Sequence, residues 1–194
     1  MNKTTKAFAL LFTAGLVLAG CGQKQDSTAT TQAETKAETT VAPTTAAPTT
    51  AAPTTVAQAK TEMPAGAQKT VFEASAKGGT ETMTVYYKDD VLLKQETVEV
   101  YTLSQLEVEN PLEKLQNNAA RTKEALKDFI GKGFEYNTEH KGDVFTITYS
   151  FDYTKIDLDK LKEKIPGLNL RDDKTLSYSE FKEALLKGGY KEKQ

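Results

Sequence analysis

Val144-Phe145-Thr146-Ile147-Thr148-Tyr149-Ser150-Phe151-Asp152-Tyr153 alternates a large apolar or aromatic side chain with another residue along most of its length. Phe145, Ile147, Tyr149, Phe151 and Tyr153 all fall on odd numbers. Successive side chains of a strand point to opposite faces, so this spacing predicts a strand with one buried face. A helix would scatter the same five residues around its circumference. Phe134 to His140 reads as the preceding strand, joined to Val144–Tyr153 by a Lys141-Gly142-Asp143 turn.

The same period appears upstream. Lys69 to Ala76 is a candidate strand stopped by Lys77-Gly78-Gly79. Thr80 to Lys88 places Met83, Val85 and Tyr87 on one face, Asp89-Asp90 turns, and Val91 to Thr102 continues with Leu92, Val98 and Val100 expected on one face. Between the two strand groups the period changes. Asn110 as N-cap, Pro111 at the first helical position and Glu113 in capping-box spacing start a helix. Leu112, Leu115, Ala119, Leu126, Phe129 and Ile130 give it an apolar stripe, and Gly131 and Gly133 end it. Downstream, Asp157 to Ile165 predicts a short helix before Pro166-Gly167. Ser177 and Glu180 open a last helix, with Phe181, Ala184 and Leu185 buried and Gly188-Gly189 as its stop. Strands, helix, strands, helices: this order predicts an α+β domain over residues 69–194, a two-layer sandwich of mainly antiparallel sheet with helices packed on one face.

N-terminal to the domain the composition shifts. Residues 22–68 carry almost no aromatic or branched apolar side chain, and contain the repeats Val41-Ala42-Pro43-Thr44-Thr45, Ala46-Ala47-Pro48-Thr49-Thr50 and Ala51-Ala52-Pro53-Thr54-Thr55. Such a segment buries too little surface to offset its ordering entropy, so a disordered spacer is expected over 21–68. Its prolines favour extended polyproline II, with a reach of at most about 140 Å. That reach suits a domain lifted through a thick Gram-positive envelope; a tether without a length requirement fits the same composition. Thr-Pro richness is also compatible with O-glycosylation.

The first 20 residues read as an export signal. Lys3 and Lys6 form a basic n-region and Ala7 to Leu18 an apolar run, too short for the ~20 residues of a permanent span. Leu18-Ala19-Gly20-Cys21 resembles the lipobox of bacterial lipoproteins. The resemblance implies cleavage between Gly20 and Cys21 and a diacylglyceryl thioether on Cys21, with the freed amine open to a further acyl chain such as palmitate. Two or more chains, at ~0.8 kcal/mol per buried methylene, anchor stably where one is marginal. Cys21 is the sole cysteine, which excludes an intramolecular disulfide. The expected location is the extracytoplasmic face of a Gram-positive cell membrane.

Within the domain, Ile130-Gly131-Lys132-Gly133-Phe134-Glu135-Tyr136, Tyr149-Ser150-Phe151-Asp152-Tyr153 with Ile156-Asp157-Leu158, and Leu176-Ser177-Tyr178 through Leu186-Lys187-Gly188-Gly189-Tyr190 resemble the YehR-like bacterial lipoproteins. Here Gly189-Tyr190 stands where that family tends to Gly-Phe. The resemblance implies a two-layer α/β sandwich and transfers no catalytic or ligand residue.

Chemical motifs are sparse. Residues 69–193 hold 20 basic and 23 acidic residues without a basic patch, which argues against nucleic acid as partner. His140 is the single histidine, expected exposed at a hairpin tip, so zinc and copper ligand sets cannot be assembled. Asp152, Asp157, Asp159, Asp172 and Asp173 cluster in sequence but lack the glycine and glutamate of a calcium loop; Asp157 and Asp159 suit a first helical turn. Ser179-Glu180-Phe181-Lys182 matches S-x-x-K without its companion motifs. Tyr86, Tyr87, Tyr101, Tyr136, Tyr149 and Tyr153 have the chemistry to stack on sugars, and equally the spacing of core residues. No catalytic residue, metal or cofactor is assigned. The expected function is a non-catalytic binding or accessory module held to the membrane through Cys21, with an envelope protein or glycan as partner. A carboxylate-dependent enzyme acting on an envelope polymer is the alternative. A two-lobed solute-binding protein does not fit a single domain of this length.

Overall fold

The computed structural model describes residues 63–193. The expected signal at 1–20, Cys21 and the expected spacer up to residue 62 lie outside the described residues. Six strands form one antiparallel sheet: β1 (Gln68–Ala76), β2 (Gly79–Lys88), β3 (Val91–Thr102), β4 (Phe134–Lys141), β5 (Val144–Asp152) and β6 (Lys191–Lys193), in the order β4-β5-β3-β2-β1-β6. The helices are α1 (Pro111–Ala125), α2 (Leu158–Lys164) and α3 (Tyr178–Lys187). The mainly antiparallel α+β class read from the sequence is therefore observed.

Register places Phe72 opposite Met83, Gln95 opposite Phe151, and Phe151 opposite Phe134, which sets these residues on one face of the sheet. That face meets the helices in two apolar clusters. In the larger, Phe72, Met83, Val85, Leu92, Phe134 and Phe151 pack with Leu161 of α2 and Tyr178, Phe181 and Leu185 of α3. In the smaller, Tyr101, Phe145 and Ile147 pack with Leu115 of α1, flanked by Leu112. Each fully buried apolar side chain contributes roughly 2 kcal/mol of transfer free energy. The β5 stripe thus serves both clusters, Phe145 and Ile147 one and Phe151 the other. Tyr153 lies just past the strand end, its backbone N–H donating to Leu93 O at 2.9 Å and its ring stacked on Phe151 at 5.8 Å.

Three local expectations are corrected. The β2–β3 register shifts between Tyr86 and Tyr87: Tyr86 faces Lys94 and Tyr87 faces Leu92, leaving Leu93 as the extra residue of a bulge. Leu92 therefore shares the core face with Gln95, Thr97, Glu99 and Tyr101, while Val98 and Val100 lie half-buried on the other face. Asn110 has φ 50° and makes no side-chain cap, because a capping side chain needs extended backbone; its carbonyl accepts from Lys114 N–H at 3.1 Å instead. The helix also ends sooner than its stripe. α1 stops at Ala125 and Lys127–Phe129 is a separate 3-10 turn.

Candidate functional site

Two carboxyls lie inside this fold. Glu81 of β2 and Glu99 of β3 are direct cross-strand partners on the helix-facing side, 3% and 5% exposed. Directly opposed residues of an antiparallel pair hold their Cβ atoms about 5 Å apart, so the two acids sit against each other. Glu81 occupies the same alternation as Met83, Val85 and Tyr87. A glutamate in an apolar period-two stripe is a signal the sequence carried, and one that our reading of the sequence passed over. Glu99 was not legible in that way, because its face depends on the Leu93 bulge.

Around the pair runs a directed chain of hydroxyl and amide donors. Tyr153 Oη donates to Gln95 Oε1 at 2.9 Å, and Gln95 Nε2 donates to Thr97 Oγ1 at 3.1 Å. Thr97 in turn donates to the Tyr149 hydroxyl, and Tyr149 donates to Glu99. Tyr101 Oη reaches Glu99 Oε2 from the other side at 2.7 Å. Glu99 thus ends two donor paths, as suits an ionised carboxylate. Glu81 receives one hydroxyl, from Tyr190, and its Oε1 is buried without a hydrogen-bond partner.

Electrostatics follow from this enclosure. Burial first, and the Glu99 charge second, push the Glu81 carboxyl up to about 8, with the Tyr190 hydroxyl acting in the opposite direction. Burial raises Glu99 as well, opposed by the hydroxyls of Tyr101 and Tyr149. Burial, reinforced by Glu99, also raises the phenols of Tyr101, Tyr136 and Tyr149. Like charges this close in a poorly solvated interior do not both ionise near neutrality. The pair therefore holds at least one proton near neutrality, and Glu81, whose carboxyl has the fewer donors, is placed to carry it.

Tyr190 is delivered to Glu81 by a helix stop. Gly189 N–H donates to Leu186 O at 3.2 Å and Tyr190 N–H to Leu185 O at 3.1 Å, the paired bonds of a Schellman motif. Gly189 takes φ 94°, open to glycine at little cost. Leu185 and Tyr190 both enter the larger cluster, so the stop folds the chain end back onto the core.

The residues singled out from the sequence are placed elsewhere. His140 is exposed near the β4–β5 turn, its Nε2 2.9 Å from Gly142 O. Asp152 accepts from Thr154 Oγ1 at 2.5 Å and pairs with Lys155 at 2.8 Å. Asp157 caps α2, accepting from Lys160 N–H at 3.1 Å, and Asp159 pairs with Lys174. Asp173 closes a turn through Thr175 N–H at 3.0 Å, and Asp172 is exposed. Among the described residues no group of three or more histidine, cysteine, aspartate or glutamate side chains is arranged to hold a metal ion. Lys182 of the S-x-x-K match pairs with Glu192 at 2.6 Å, and Ser179 Oγ bonds Asp90 Oδ2 at 3.2 Å, so serine and lysine do not form a nucleophile and base. Tyr86, Tyr101 and Tyr153 are buried, Tyr87 stacks on Tyr178 at 3.5 Å, and Tyr136 and Tyr149 are half-buried against the apolar clusters. On the other face of the sheet Tyr86 Oη donates to Glu96 at 3.0 Å while Lys94 Nζ pairs with Glu96 at 2.8 Å.

Comparison with known proteins agrees with this fold. An uncharacterised lipoprotein of Listeria innocua is 30% identical over 129 residues, covering 64% of this chain and 80% of the relative. The solved structure of the Escherichia coli YehR protein superposes with a TM-score of 0.50 at 19% identity, over 65% of this chain and 90% of that one, a likeness of fold. The family model described as "protein of unknown function (DUF1307)" matches residues 68–191, and the chain belongs to that family.

Proposed function

We propose that this chain is a surface-anchored bacterial lipoprotein whose domain, a two-layer sandwich, is a non-catalytic binding or accessory module of the cell envelope. In this reading residues 1–20 are removed as a signal peptide, Cys21 carries the lipid, residues 21–68 space the domain from the membrane, and the domain faces outward from a Gram-positive cell. The n-region, apolar run and Leu18-Ala19-Gly20-Cys21 support the anchor, and the Listeria relative is itself named a lipoprotein. One observation favours binding over catalysis. The opposed carboxyls Glu81 and Glu99, a buried cross-strand pair, are closed off from solvent and act on tyrosines rather than on an open cleft.

Incubating the purified domain with intact peptidoglycan, and scoring both sedimentation with the polymer and release of soluble fragments, separates the two readings. Co-sedimentation without fragments is expected. Fragment release that Glu81→Gln or Glu99→Gln abolishes would establish the enzyme instead.

A further inference from the structure

The sheet has a second face, and among the described residues no helix packs on it: Leu115 of α1, Leu161 of α2 and Phe181 of α3 all join the clusters on the opposite side. Register sets Thr82, Thr84, Val98, Val100, Thr146 and Thr148 together on this second face, in the middle of β2, β3 and β5. All six are short and branched at Cβ, so the surface they make is low and even, as sheet-on-sheet packing requires. Thr82, Val98, Val100 and Thr148 keep part of that surface open to solvent. Toward one end Lys94 lies along the sheet, its Nζ 2.8 Å from Glu96 and 5.7 Å from the centre of the Tyr86 ring. The margins carry unpaired charge of opposite sign. Glu135 of β4 stands at one, Lys69 of β1 and Lys191 of β6 at the other, all exposed. Pairing places them on this face, Glu135 opposite Ser150, Lys69 opposite Tyr86 and Lys191 opposite Glu73. Among the described residues none of the three makes an ion pair, whereas Glu139 pairs with Lys141 and Glu73 with Lys193.

We propose that a second copy of this chain docks on this face, sheet against sheet, about a two-fold axis that lies in the contact plane parallel to the strands. Such an axis turns the sheet over and exchanges its margins. Glu135 of each copy then comes over β6 of the other, beside Lys191. The centre of the strand order β4-β5-β3-β2-β1-β6 falls between β3 and β2, so Val98 of one copy meets Thr82 of the other. The second possible axis, across the strands, would lay β4 on β4 and β6 on β6, acid on acid and lysine on lysine. Charge at the margins therefore selects the first orientation, while burial of valine and threonine methyls supplies the attraction. Extent agrees with this. Strands about 4.8 Å apart, five of them about 30 Å long, give a face of ~700 Å², near the ~800 Å² that each partner of a stable complex commonly buries. The contact is isologous and closes on itself, leaving the helix side free for other partners. It requires neither the lipid nor the envelope binding proposed above, so either can fail alone.

Light scattering on the full chain in detergent, with protein mass separated from micelle mass, counts the copies. Twice the mass of one chain is expected. Val98→Lys should return a single copy whose thermal unfolding stays cooperative. Glu135→Lys, at an exposed position, should weaken self-association at least about fivefold, and Lys191→Glu added to it should restore the two-copy mass. Arg121→Glu, exposed on α1 at the helix side, should leave association unchanged. A single-copy mass at every concentration, a two-copy mass that Val98→Lys and Glu135→Lys leave intact, or a charge exchange that restores nothing would overturn the dimer. So would a single-copy chain whose sedimentation with peptidoglycan is abolished by Val98→Lys, an outcome that gives the face to the polymer.

Discussion

Asp90 shows how one side chain joins distant parts of the sequence. It lies in the β2–β3 turn with φ 64°, and its carboxylate accepts from Ser179 N–H at 2.7 Å, from the hydroxyls of Ser177 and Ser179 at 3.2 Å, and from Arg171. Although burial opposes them, these donors hold the Asp90 carboxyl below its ordinary value. The N-terminus of α3 is thus capped twice, by Ser177 at its N-cap position and by Asp90 from the turn. Asp90→Ala should cost about 1 kcal/mol, read as a Tm lowered by about 4 °C. Ser177→Ala in the same background should add less than it costs alone, since both act on one helix end. At Glu81 the sign runs the other way with pH. Its folded-state pKa lies above the ordinary 4.5, so the proton stabilises the fold. No penalty exists below pH 4.5; it grows as pH rises and is complete above about 8. Thermal melts from pH 4 to 9 should therefore show stability declining by a few kcal/mol across that window, with Glu81→Gln markedly flatter.

Elements meet where glycine allows it. Gly133, between the 3-10 turn and β4, has φ 101°, and its carbonyl accepts from Asp152 N–H at 2.6 Å. A Cβ there would stand 2.8 Å from Asp152 O and 2.9 Å from an Ile156 side-chain carbon. Gly133→Ala should cost about 2 kcal/mol or more, from the left-handed backbone and the clash together, measurable by urea unfolding with an unchanged m-value. Gly131→Ala, where the added Cβ meets nothing within 4 Å, should cost less, its left-handed φ of 73° aside. Strand boundaries were legible: β3 spans Val91–Thr102 as its composition implied, and β1, β2, β4 and β5 lie within a residue of expectation. The Leu93 bulge was not, because one extra residue in a β-rich run leaves composition unchanged and reveals itself only against the paired strand. β6 was missed for a related reason. Lys191-Glu192-Lys193 has no strand period of its own and is extended only because β1 offers it an edge.

For the whole molecule, the anchor is the proposal most open to direct test. Cys21→Ala should move the protein from the membrane fraction to the soluble or unprocessed one, and normal retention would refute lipidation. Shortening the Thr/Ala/Pro repeats should reduce access of an external protease or antibody to the domain if the spacer sets a height above the membrane; unchanged access would favour a simple tether. The sequence by itself determined the α+β class, the spans of β1 to β5 and the helix stop at Gly188-Gly189. Each of these rests on residues adjacent in the chain, through side-chain period or backbone preference. Tertiary structure alone decided that Glu81 faces Glu99, that Asp90 caps a helix some ninety residues away, and that Tyr190 closes the core over a buried acid. Those relations depend on register across the sheet, where a one-residue bulge reverses which side chains are buried, and on the energetics of charge out of water, which exist only once the chain has closed around them.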